Sequence, residues 1–416
     1  MSATEQKLAA AAASSGTMRA QTRQAKQVPR HLRRILSLAD FDRAARRHLP
    51  RMVYGFVSGG VETDASLRDN AAAFADWGFV PRMLQNVSTR QQRTQLFGRP
   101  YAAPFGIAPM GASALVAYRG DLVLAQAAAG ANIPMIMSAS SLIRLEEVRA
   151  NGPNSWYQAY LPGDAARIEP LVDRVAAAGF DTFVLTADVP VSANRENNIR
   201  NGYTMPLQPS LRLFWDGATH PFWSLGTFLR TISKHGMPHF ENMDVGRGPP
   251  ILSRNLERAV GVRDQLAWEH LALIRRRWKG KLVVKGILAK EDAHLAREHG
   301  ADGIIVSNHG GRQLDGAVSP LRVLPEIAAA AKDLVVMYDG GIRRGTDVLK
   351  ALALGAQFVF VARPFLYAAA VAGEDGVRHA IRLLSEEVHR DMALLGITDL
   401  AQLGPHYLRP LGAPKA

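Results

Sequence analysis

A histidine, two glycines and an arginine stand together in SNHGGRQLDG, residues 307–316, directly after the apolar run ADGIIV. His309 can accept a proton near neutral pH. Gly310 and Gly311 remove side chains beside it, which lets a ligand approach closely, and Arg312 supplies a planar two-pronged donor that matches a carboxylate. A single histidine is more often a structural residue, but a base beside a carboxylate clamp favours proton abstraction from a small acid.

Asp188 and Arg195 could complete this arrangement from another part of the chain. Asp188 ends the apolar run TFVLTAD, and a carboxylate bonded to one imidazole nitrogen fixes the tautomer and stabilises the charged ring. Arg195, in the loop that follows, could form a second prong on the substrate carboxylate. Two alternatives stay open: Asp188 could cap its own loop, and Arg195 could form a surface ion pair with Glu196.

Other apolar runs also turn polar at their carboxyl ends, which packing alone does not explain. If the runs are parallel strands of one barrel, these side chains meet at a single mouth. The residues are Gln158, Tyr160, Thr186, Lys285, Ser307, Asn308 and Asp339.

Two segments near the end of the barrel region predict a phosphate site. DGGIRRGTD, residues 339–347, offers backbone amides at its glycine pair, the side chain of Arg343 and the start of a helix near Thr346. ARP, residues 362–364, adds Arg363. Amides at a helix start together with arginines are a common way for barrels to hold a phosphate group.

Lys285 narrows the choice of cofactor. A lysine at the end of a buried run is costly unless it meets an anion or a polarised ring. A Schiff-base lysine is the rival interpretation. A phosphate site, a lysine, a glutamine and a threonine around one mouth suit flavin mononucleotide (FMN) better, because its reduced ring benefits from a cation and its pyrimidine edge from amide and hydroxyl partners.

Eight short apolar runs position these residues, and amphipathic segments closed by glycine separate them. Runs that are apolar on both faces are typical of parallel strands covered by helices, and their spacing matches one βα unit each. The pattern predicts a (β/α)8 TIM barrel rather than an open doubly wound sheet, which would want a phosphate loop after its first strand. The runs are PFGIAP (104–109), PMIMSA (134–139), SWYQAYL (155–161), TFVLTAD (182–188), KLVVKG (281–286), GIIVSN (303–308), VVMYDG (335–340) and FVFVAR (358–363).

Two helices are predicted before the barrel. SLADFDRAARRHL begins with a capping-box pattern of Ser37 and Asp40, and PRMVYGFVSGG has proline at its start. We expect them to close the N-terminal side of the barrel or to contribute to the site.

The connection after the fourth run is far longer than one βα unit requires, and it predicts an insertion at about residues 197–278. Its segment HPFWSLGTFLRTISKHGM carries an apolar helical face flanked by Arg230 and Lys234. Such a face could fold over the barrel mouth or lie in a membrane interface. The apolar residues are Phe222, Leu225, Phe228, Leu229 and Ile232.

Composition limits the other possibilities. The chain has 416 residues, 47% of them hydrophobic, and no cysteine, so it can bury a large core and cannot use thiolate metal sites or disulfides. The formal net charge is +13, and much of the excess falls in residues 1–35, which we predict to be a disordered basic tail. Specific nucleic-acid binding and export are the less favoured interpretations of that tail, and the chain contains no apolar stretch long enough to span a bilayer.

The motifs SNHGGRQLDG, LVVKGI, DGGIRRGTDVLKALALGA, WYQAYL and LTADVP resemble the FMN-dependent (S)-2-hydroxy acid dehydrogenases and oxidases, a family that includes L-lactate dehydrogenase, mandelate dehydrogenase and glycolate oxidase. The resemblance runs from about Leu36 to about Leu400. We therefore divide the chain into the tail at 1–35, a barrel at 36–400 with its insertion, and a C-terminal tail at 401–416.

The resemblance implies a role for each matching position. His309 corresponds to the catalytic base and Asp188 to its partner, Arg195 and Arg312 hold the substrate carboxylate, and Tyr160 lies near the substrate hydroxyl. The positions implied to bind FMN are Ser138, Gln158, Thr186, Lys285, Ser307, Asp339, Gly341, Arg343 and Arg363.

Four positions depart from the family pattern or discriminate within it. Phe56 stands in the substrate site where a tyrosine is expected, so one hydroxyl donor to the carboxylate is missing there. Met110 replaces a frequent threonine or serine, and Ala362 a usual glycine. Gly111 resembles the dehydrogenases, whereas oxidases more often carry alanine, which implies that oxygen is a poor acceptor.

The function implied is oxidation of a lactate- or mandelate-like L-2-hydroxy acid to the 2-oxo acid, with electrons passed to a membrane quinone. The insertion is similar to the membrane-attachment segment of mandelate dehydrogenase, which implies a cytoplasmic homo-oligomer, a tetramer by resemblance, held peripherally at the inner face of the cell membrane. The alternatives are an oxygen-dependent oxidase that forms hydrogen peroxide and a noncatalytic FMN-binding barrel.

Overall fold

The computed structural model describes residues 28–204, 207–252 and 263–411. The chain divides into two compact units, Met1–Leu36 and Ser37–Ala416. The described part of the first unit forms a 3-10 turn at Arg30–Leu32. The predicted basic tail falls mostly on residues 1–27, outside the described residues.

Eight parallel strands close into a barrel in the second unit, which confirms the predicted (β/α)8 fold and each of its eight apolar runs. Each strand lies against its neighbours in chain order, and the last pairs with the first. A two-stranded hairpin, β2–β3, and an antiparallel pair of β1 with β12 lie outside the barrel. The strands are β1 (Trp77–Phe79), β2 (Thr94–Leu96), β3 (Arg99–Tyr101), β4 (Phe105–Ile107), β5 (Met135–Ser138), β6 (Ser155–Ala159), β7 (Thr182–Thr186), β8 (Lys281–Ile287), β9 (Gly303–Val306), β10 (Val335–Asp339), β11 (Phe358–Val361) and β12 (Leu408–Pro410).

Helices cover the barrel and precede it. The last helix, α16, is kinked at Ala372 and Gly373, where the backbone leaves helical geometry. The helices are α1 (Leu38–His48), α2 (Arg51–Ser58), α3 (Ala65–Ala72), α4 (Ser113–Val116), α5 (Gly120–Gly130), α6 (Leu145–Asn151), α7 (Ala165–Ala177), α8 (Glu196–Asn201), α9 (Leu211–Ala218), α10 (Pro221–Trp223), α11 (Arg230–His235), α12 (Trp268–Arg277), α13 (Lys290–Glu298), α14 (Pro320–Ala330), α15 (Gly345–Ala353) and α16 (Arg363–Leu395).

The two ends of the barrel differ in chemistry. The interior is filled at the N-terminal end by buried apolar side chains, including Trp156 and Phe358, and by Leu96 and Tyr101 of the β2–β3 hairpin. The register then places Thr186 beside Lys285 at the other end. Because strands are parallel, their polar last residues meet at one rim.

Both helices predicted before the barrel are present as α1 and α2. The N–H and hydroxyl of Ser37 donate to the Asp40 carboxylate, as in a capping box. Helix α2 ends at Ser58, beside the C-terminal rim rather than the hairpin-filled end. The segment assigned to a C-terminal tail includes β12, whose Leu408 pairs with Phe79.

The insertion packs on the rim through one side of its helices. The indole of Trp223 is buried and donates to the carbonyl of Leu115 at 2.9 Å, and Arg230 lies 3.9 Å from the ring centre of Tyr118. Phe228 stacks on Trp223. We define the exposed apolar set of the insertion as Leu211, Phe214, Trp215, Phe222, Leu225 and Leu229, which are between 50% and 89% exposed.

In the described part of the chain, no helix combines the length and the apolar character that crossing a membrane requires.

Candidate active site

His309 and Asp188 form a close pair at the C-terminal rim. The Nδ1 atom of His309 lies 2.8 Å from Oδ1 of Asp188, although the residues come from loops after different strands. This bond leaves Nε2 facing Tyr160, whose hydroxyl lies 3.4 Å away. A histidine oriented in this way can exchange a proton at Nε2 with a bound molecule.

Glycines create the space that the pair requires. Gly286 has φ +106°, and a Cβ there would lie 2.7 Å from the side chain of Asp188, so any other residue would displace that carboxylate. His309 itself has a left-handed φ of 57°. Gly311 continues the turn with φ +72°, where a Cβ would meet the backbone of Leu67 at 2.5 Å.

Arg195 and Arg312 lie together beside this pair. Nε of Arg195 donates to the carbonyl oxygen of Arg312 at 3.1 Å, and a terminal nitrogen donates to Gln313 at 2.6 Å. Arg312 in turn donates to the carbonyl of Gly59 at 2.6 Å, just after α2. Both guanidinium groups are thereby fixed by neutral oxygens, so their positive charge is left for an anion.

Phe56 lies next to these guanidinium groups. The guanidinium carbon of Arg312 is 5.3 Å from the centre of the Phe56 ring. The ring of Tyr203 stacks on Phe56, with 4.3 Å between the ring centres and 15° between the ring planes. Phe56 therefore contributes an aromatic surface beside the guanidinium groups but no hydroxyl group.

Lys285, Ser307 and Asp339 form a buried polar chain across β8, β9 and β10. Nζ of Lys285 lies 2.8 Å from the Ser307 hydroxyl and 2.9 Å from Oδ2 of Asp339. The Ser307 hydroxyl also donates to Asp339. Burial lowers the pKa of Lys285, but the negative charges of Asp339 and Asp188 have a larger effect and raise it. The lysine is therefore positively charged inside the rim.

Ser138, Gln158 and Thr186 provide neutral polar groups on the adjacent strands. The hydroxyl of Ser138 donates to Oε1 of Gln158 at 2.9 Å, and Nε2 of Gln158 donates to the carbonyl of Ala159 at 2.8 Å. Oγ1 of Thr186 is buried and has no partner in the described residues. A buried hydroxyl of this kind is suited to a ligand with polar edges.

Arg363 and the glycines after β10 are the residues predicted to hold a phosphate. Arg363 donates to the carbonyls of Val57, Gly59 and Gly310 at 2.9 to 3.1 Å. Burial and the neighbouring Arg343 lower the pKa of Arg363 to about 10, and Tyr367 and Asp64 offset only part of this shift.

The expected contribution of the α15 N-terminus needs correction. The carboxylate of Asp347 accepts the N–H groups of Arg343 and Arg344 at 2.8 and 2.9 Å, and Glu387 accepts that of Gly345 at 2.8 Å. These N–H groups are therefore already bonded. The arginine side chains and the turn formed by Gly340 and Gly341 remain available to bind a phosphate. Both of these glycines have a positive φ.

The protonation states of the central pair follow from its surroundings. Burial lowers the pKa of His309 by more than the charge of Asp188 raises it. Burial raises the pKa of Asp188, but the charge and hydrogen bond of His309 outweigh that effect and hold it below its usual value. Near neutral pH the pair is a carboxylate beside a neutral imidazole, which is the form that accepts a proton.

The structure brings every site residue expected from the sequence to this rim, and it adds three that sequence reasoning missed. Gly286 makes room for Asp188, Gln313 holds Arg195, and Tyr203 stacks on Phe56. Gln313 lies within the SNHGGRQLDG motif and Tyr203 eight positions after Arg195, so proximity in the chain was the one available signal.

An eight-stranded barrel that gathers a histidine–carboxylate pair, two arginines and polar groups at the C-terminal rim belongs to the class of TIM-barrel enzymes. The buried Thr186 hydroxyl, the Lys285 cation and the buried guanidinium of Arg363 fit a ligand with a polar ring and an anionic tail, as FMN has.

Comparison with known proteins identifies the family. Residues 45–410 match the FMN-dependent dehydrogenases. The chain is 36% identical to (S)-mandelate dehydrogenase of Pseudomonas putida over 91% of this chain and 95% of the relative. It is 39% identical to L-lactate dehydrogenase of Caulobacter sp. (strain K31), over 89% of this chain and 97% of that relative.

Solved structures agree with this match. A structure described as the monotopic membrane protein (S)-mandelate dehydrogenase superposes with a TM-score of 0.81 and 35% identity, covering 90% of this chain and 99% of that one. A structure of mandelate oxidase with benzoyl-formic acid superposes with a TM-score of 0.75 and 37% identity, and the match covers 90% of this chain and 98% of that one. The chain therefore belongs to the FMN-dependent dehydrogenase family, and its cofactor is FMN.

Proposed function

We propose that the protein oxidises an L-2-hydroxy acid to the 2-oxo acid at the C-terminal rim of its barrel. The observation that carries this proposal is the His309–Asp188 pair, 2.8 Å apart, beside Arg195 and Arg312. A base next to two guanidinium groups that are held by neutral oxygens suits a substrate that has a carboxylate one bond from the carbon to be oxidised.

Each group has a role in the reaction. Arg195 and Arg312 hold the carboxylate and so fix the hydroxyl-bearing carbon near Nε2 of His309. His309 takes one proton from the substrate, and Asp188 stabilises the imidazolium that forms. Tyr160, within 3.4 Å of Nε2, hydrogen-bonds near the substrate hydroxyl, and Phe56 lines the pocket. FMN, when bound, would supply the acceptor for the electron pair of the C–H bond, and the second hydrogen of the substrate would leave with that pair or pass to solvent.

The residues that would hold FMN divide by chemistry. Lys285 would meet the N1/O2 edge of the ring, and Ser138, Gln158 and Thr186 would bond its other polar edges. Ser307 and Asp339 would contact the ribityl chain. Gly341, Arg343 and Arg363 would hold the phosphate.

The names of the relatives support a lactate- or mandelate-like substrate, since an (S)-mandelate dehydrogenase and an L-lactate dehydrogenase each match most of the chain. We propose a membrane quinone as electron acceptor and a homo-oligomeric enzyme, a tetramer, on the cytoplasmic face of the cell membrane. The oxygen-dependent oxidase and the noncatalytic barrel are then outcomes that experiment must reject.

Anaerobic mixing of the FMN-loaded protein with a panel of (S)-2-hydroxy acids tests the activity. We expect L-lactate or (S)-mandelate to bleach the flavin band and to yield one 2-oxo acid per flavin. Recovery of the band with a quinone analogue, and little with oxygen, supports the dehydrogenase. Rapid recovery in air with peroxide formation would make the protein an oxidase, and a band that no acid bleaches would make it a noncatalytic barrel.

The exposed apolar set of the insertion supports the membrane part of the proposal. Phe222 is 83% and Leu225 65% exposed, while Trp223 between them is buried against the barrel. Large apolar side chains exposed on a helix with basic neighbours suit insertion into a lipid interface.

Co-sedimentation with vesicles of phosphatidylglycerol and phosphatidylethanolamine tests this contact. We expect Phe222→Asp with Leu225→Asp to weaken vesicle binding by about tenfold or more and to leave oxidation with a soluble dye acceptor unchanged. Leu84→Asp, at a fully exposed position outside the insertion, is the matched control. Equal vesicle binding by both variants would contradict the proposed surface.

A further inference from the structure

A 3-10 turn at Arg263–Gln265, in the last part of the insertion, lies directly against the loop that follows β6. A Cβ on Gly163 of that loop would meet the backbone of Gln265 at 2.5 Å. The N–H of Leu266 donates to the carbonyl of Arg263 at 3.1 Å and closes the turn. The backbone of Arg263 is therefore held beside the loop that begins with Tyr160.

The side chain of Arg263 lies on the aromatic ring of Tyr160. Its guanidinium carbon is 4.9 Å from the ring centre, a distance at which the electrons of an aromatic face attract a cation. Burial lowers the pKa of Arg263, the phenol of Tyr160 opposes that shift, and the charge of Arg167 adds to it. Arg167 is itself bonded to Asp244 at 2.7 Å. Among the described residues, the ring of Tyr160 is thus the group that compensates the burial of Arg263.

Tyr160 connects this contact to the base. Its hydroxyl lies 3.4 Å from Nε2 of His309, and the two ring centres are 6.3 Å apart. Burial raises the pKa of Tyr160, and Arg263 is one of the cations whose charge opposes this shift. A displacement of the ring from the guanidinium group would also displace the hydroxyl from the imidazole, because both positions belong to one rigid side chain.

We propose that Arg263 is a positioning residue for the oxidation, because its guanidinium group holds the ring of Tyr160 so that the hydroxyl stays beside Nε2 of His309. This inference rests on the proposed function, since it adds a residue to the same site. Arg263 acts through Tyr160 and does not itself touch the substrate. The insertion then has a part in the reaction that is separate from its exposed apolar set.

A double-mutant cycle of Arg263→Met and Tyr160→Phe tests the proposal. The measurement is the kcat and KM of the FMN-loaded protein with (S)-mandelate and L-lactate. We expect Arg263→Met to lower kcat about three- to tenfold with a smaller change in KM, because the contact between the cation and the ring is lost. In the Tyr160→Phe background the same change should alter kcat by less than about twofold, since the hydroxyl through which Arg263 acts is absent.

Two further variants separate positioning from a general loss of structure. Arg263→Lys keeps the positive charge and should recover much of the lost kcat. Arg276→Met, at an exposed position on α12, should match the unaltered protein. A loss confined to KM, or the same loss in both backgrounds of the cycle, would overturn the inference, because Arg263 would then act on the substrate or on the fold and not through Tyr160.

Fluorine NMR of the FMN-loaded protein labelled with 3-fluorotyrosine tests the contact without turnover. The signal of Tyr160 is identified by its absence from Tyr160→Phe. It should move in Arg263→Met, return toward its original position in Arg263→Lys and stay unchanged in Arg276→Met. A signal that does not move in Arg263→Met would overturn the inference. Failure of every hydroxy acid to reduce the flavin would instead refute the proposed function, whereas the NMR signal would still decide whether Arg263 positions Tyr160.

Discussion

The two ends of the barrel are built from the same strands but serve different purposes. On β8, Val283 and Lys285 are two positions apart and therefore point to the same side of the strand. Val283 lies in the apolar interior cluster, whereas Lys285 reaches the polar chain of Ser307 and Asp339. We therefore propose that the N-terminal half of each strand maintains the fold and that the last residue or the loop after it carries the chemistry. Changes at one end should affect activity, and changes at the other end stability.

The largest effect is expected at the base. His309→Asn removes the group that accepts the proton while keeping a side chain of similar size, and it should slow anaerobic flavin reduction by about 10²–10⁴-fold. Stopped-flow absorbance with the best hydroxy acid measures the rate. FMN content and thermal stability should stay near those of the unaltered protein, and a rate within threefold or so of that protein would exclude His309 as the base.

The next largest effect concerns the cofactor. Arg363→Met removes a buried cation from the proposed phosphate position and should weaken FMN binding by roughly ten- to a hundredfold. Fluorescence titration of the apoprotein with FMN measures the affinity. Arg378→Met, on the same helix but in an exposed ion pair with Glu374, provides the control. Equal affinities for the two variants would place the phosphate elsewhere.

The pH dependence tests the histidine and its partner. The pKa of His309 lies below its usual 6.5, so kcat/KM should fall as pH drops through a value below 6.5 and stay level above it. In Asp188→Asn the charge that raises the pKa of His309 is gone, so this acid limb should move to still lower pH while the plateau also falls. A limb that moves to higher pH would contradict the assigned pairing.

The smallest effect on activity is expected at the other end. Val283→Ala removes two methyl groups from the interior cluster and should lower the free energy of unfolding by roughly 1–3 kcal/mol. Urea denaturation followed by tryptophan fluorescence measures this change. The rate of flavin reduction per folded molecule should change by less than about twofold. A large loss of rate with no loss of stability would mean that the two ends are not separate in function.

Much of the fold was predictable because the strands are apolar on both faces. Runs such as FVFVAR have no periodicity that could suit an exposed strand, and glycine marks the end of the helices between them. The site was also accessible, because His309, Lys285 and Asp339 follow apolar runs and parallel strands bring their ends together. The resemblance to the family then supplied the expected roles.

The remaining features depend on contacts between distant parts of the chain. Gly286 is required by the position of Asp188, nearly a hundred residues earlier, and the N–H of Gly345 is bonded by Glu387 from another helix. Tyr203 reaches Phe56 because α8 lies against α2. None of these pairs shares a local pattern, so the sequence alone does not predict that their members are in contact.

A crystal structure of the FMN-loaded protein with oxalate is the most direct test of the proposed site. We predict one carboxylate within hydrogen-bond distance of both Arg195 and Arg312, close to Nε2 of His309, with the flavin ring beside Lys285. Oxalate or FMN bound away from this rim would contradict the assignment.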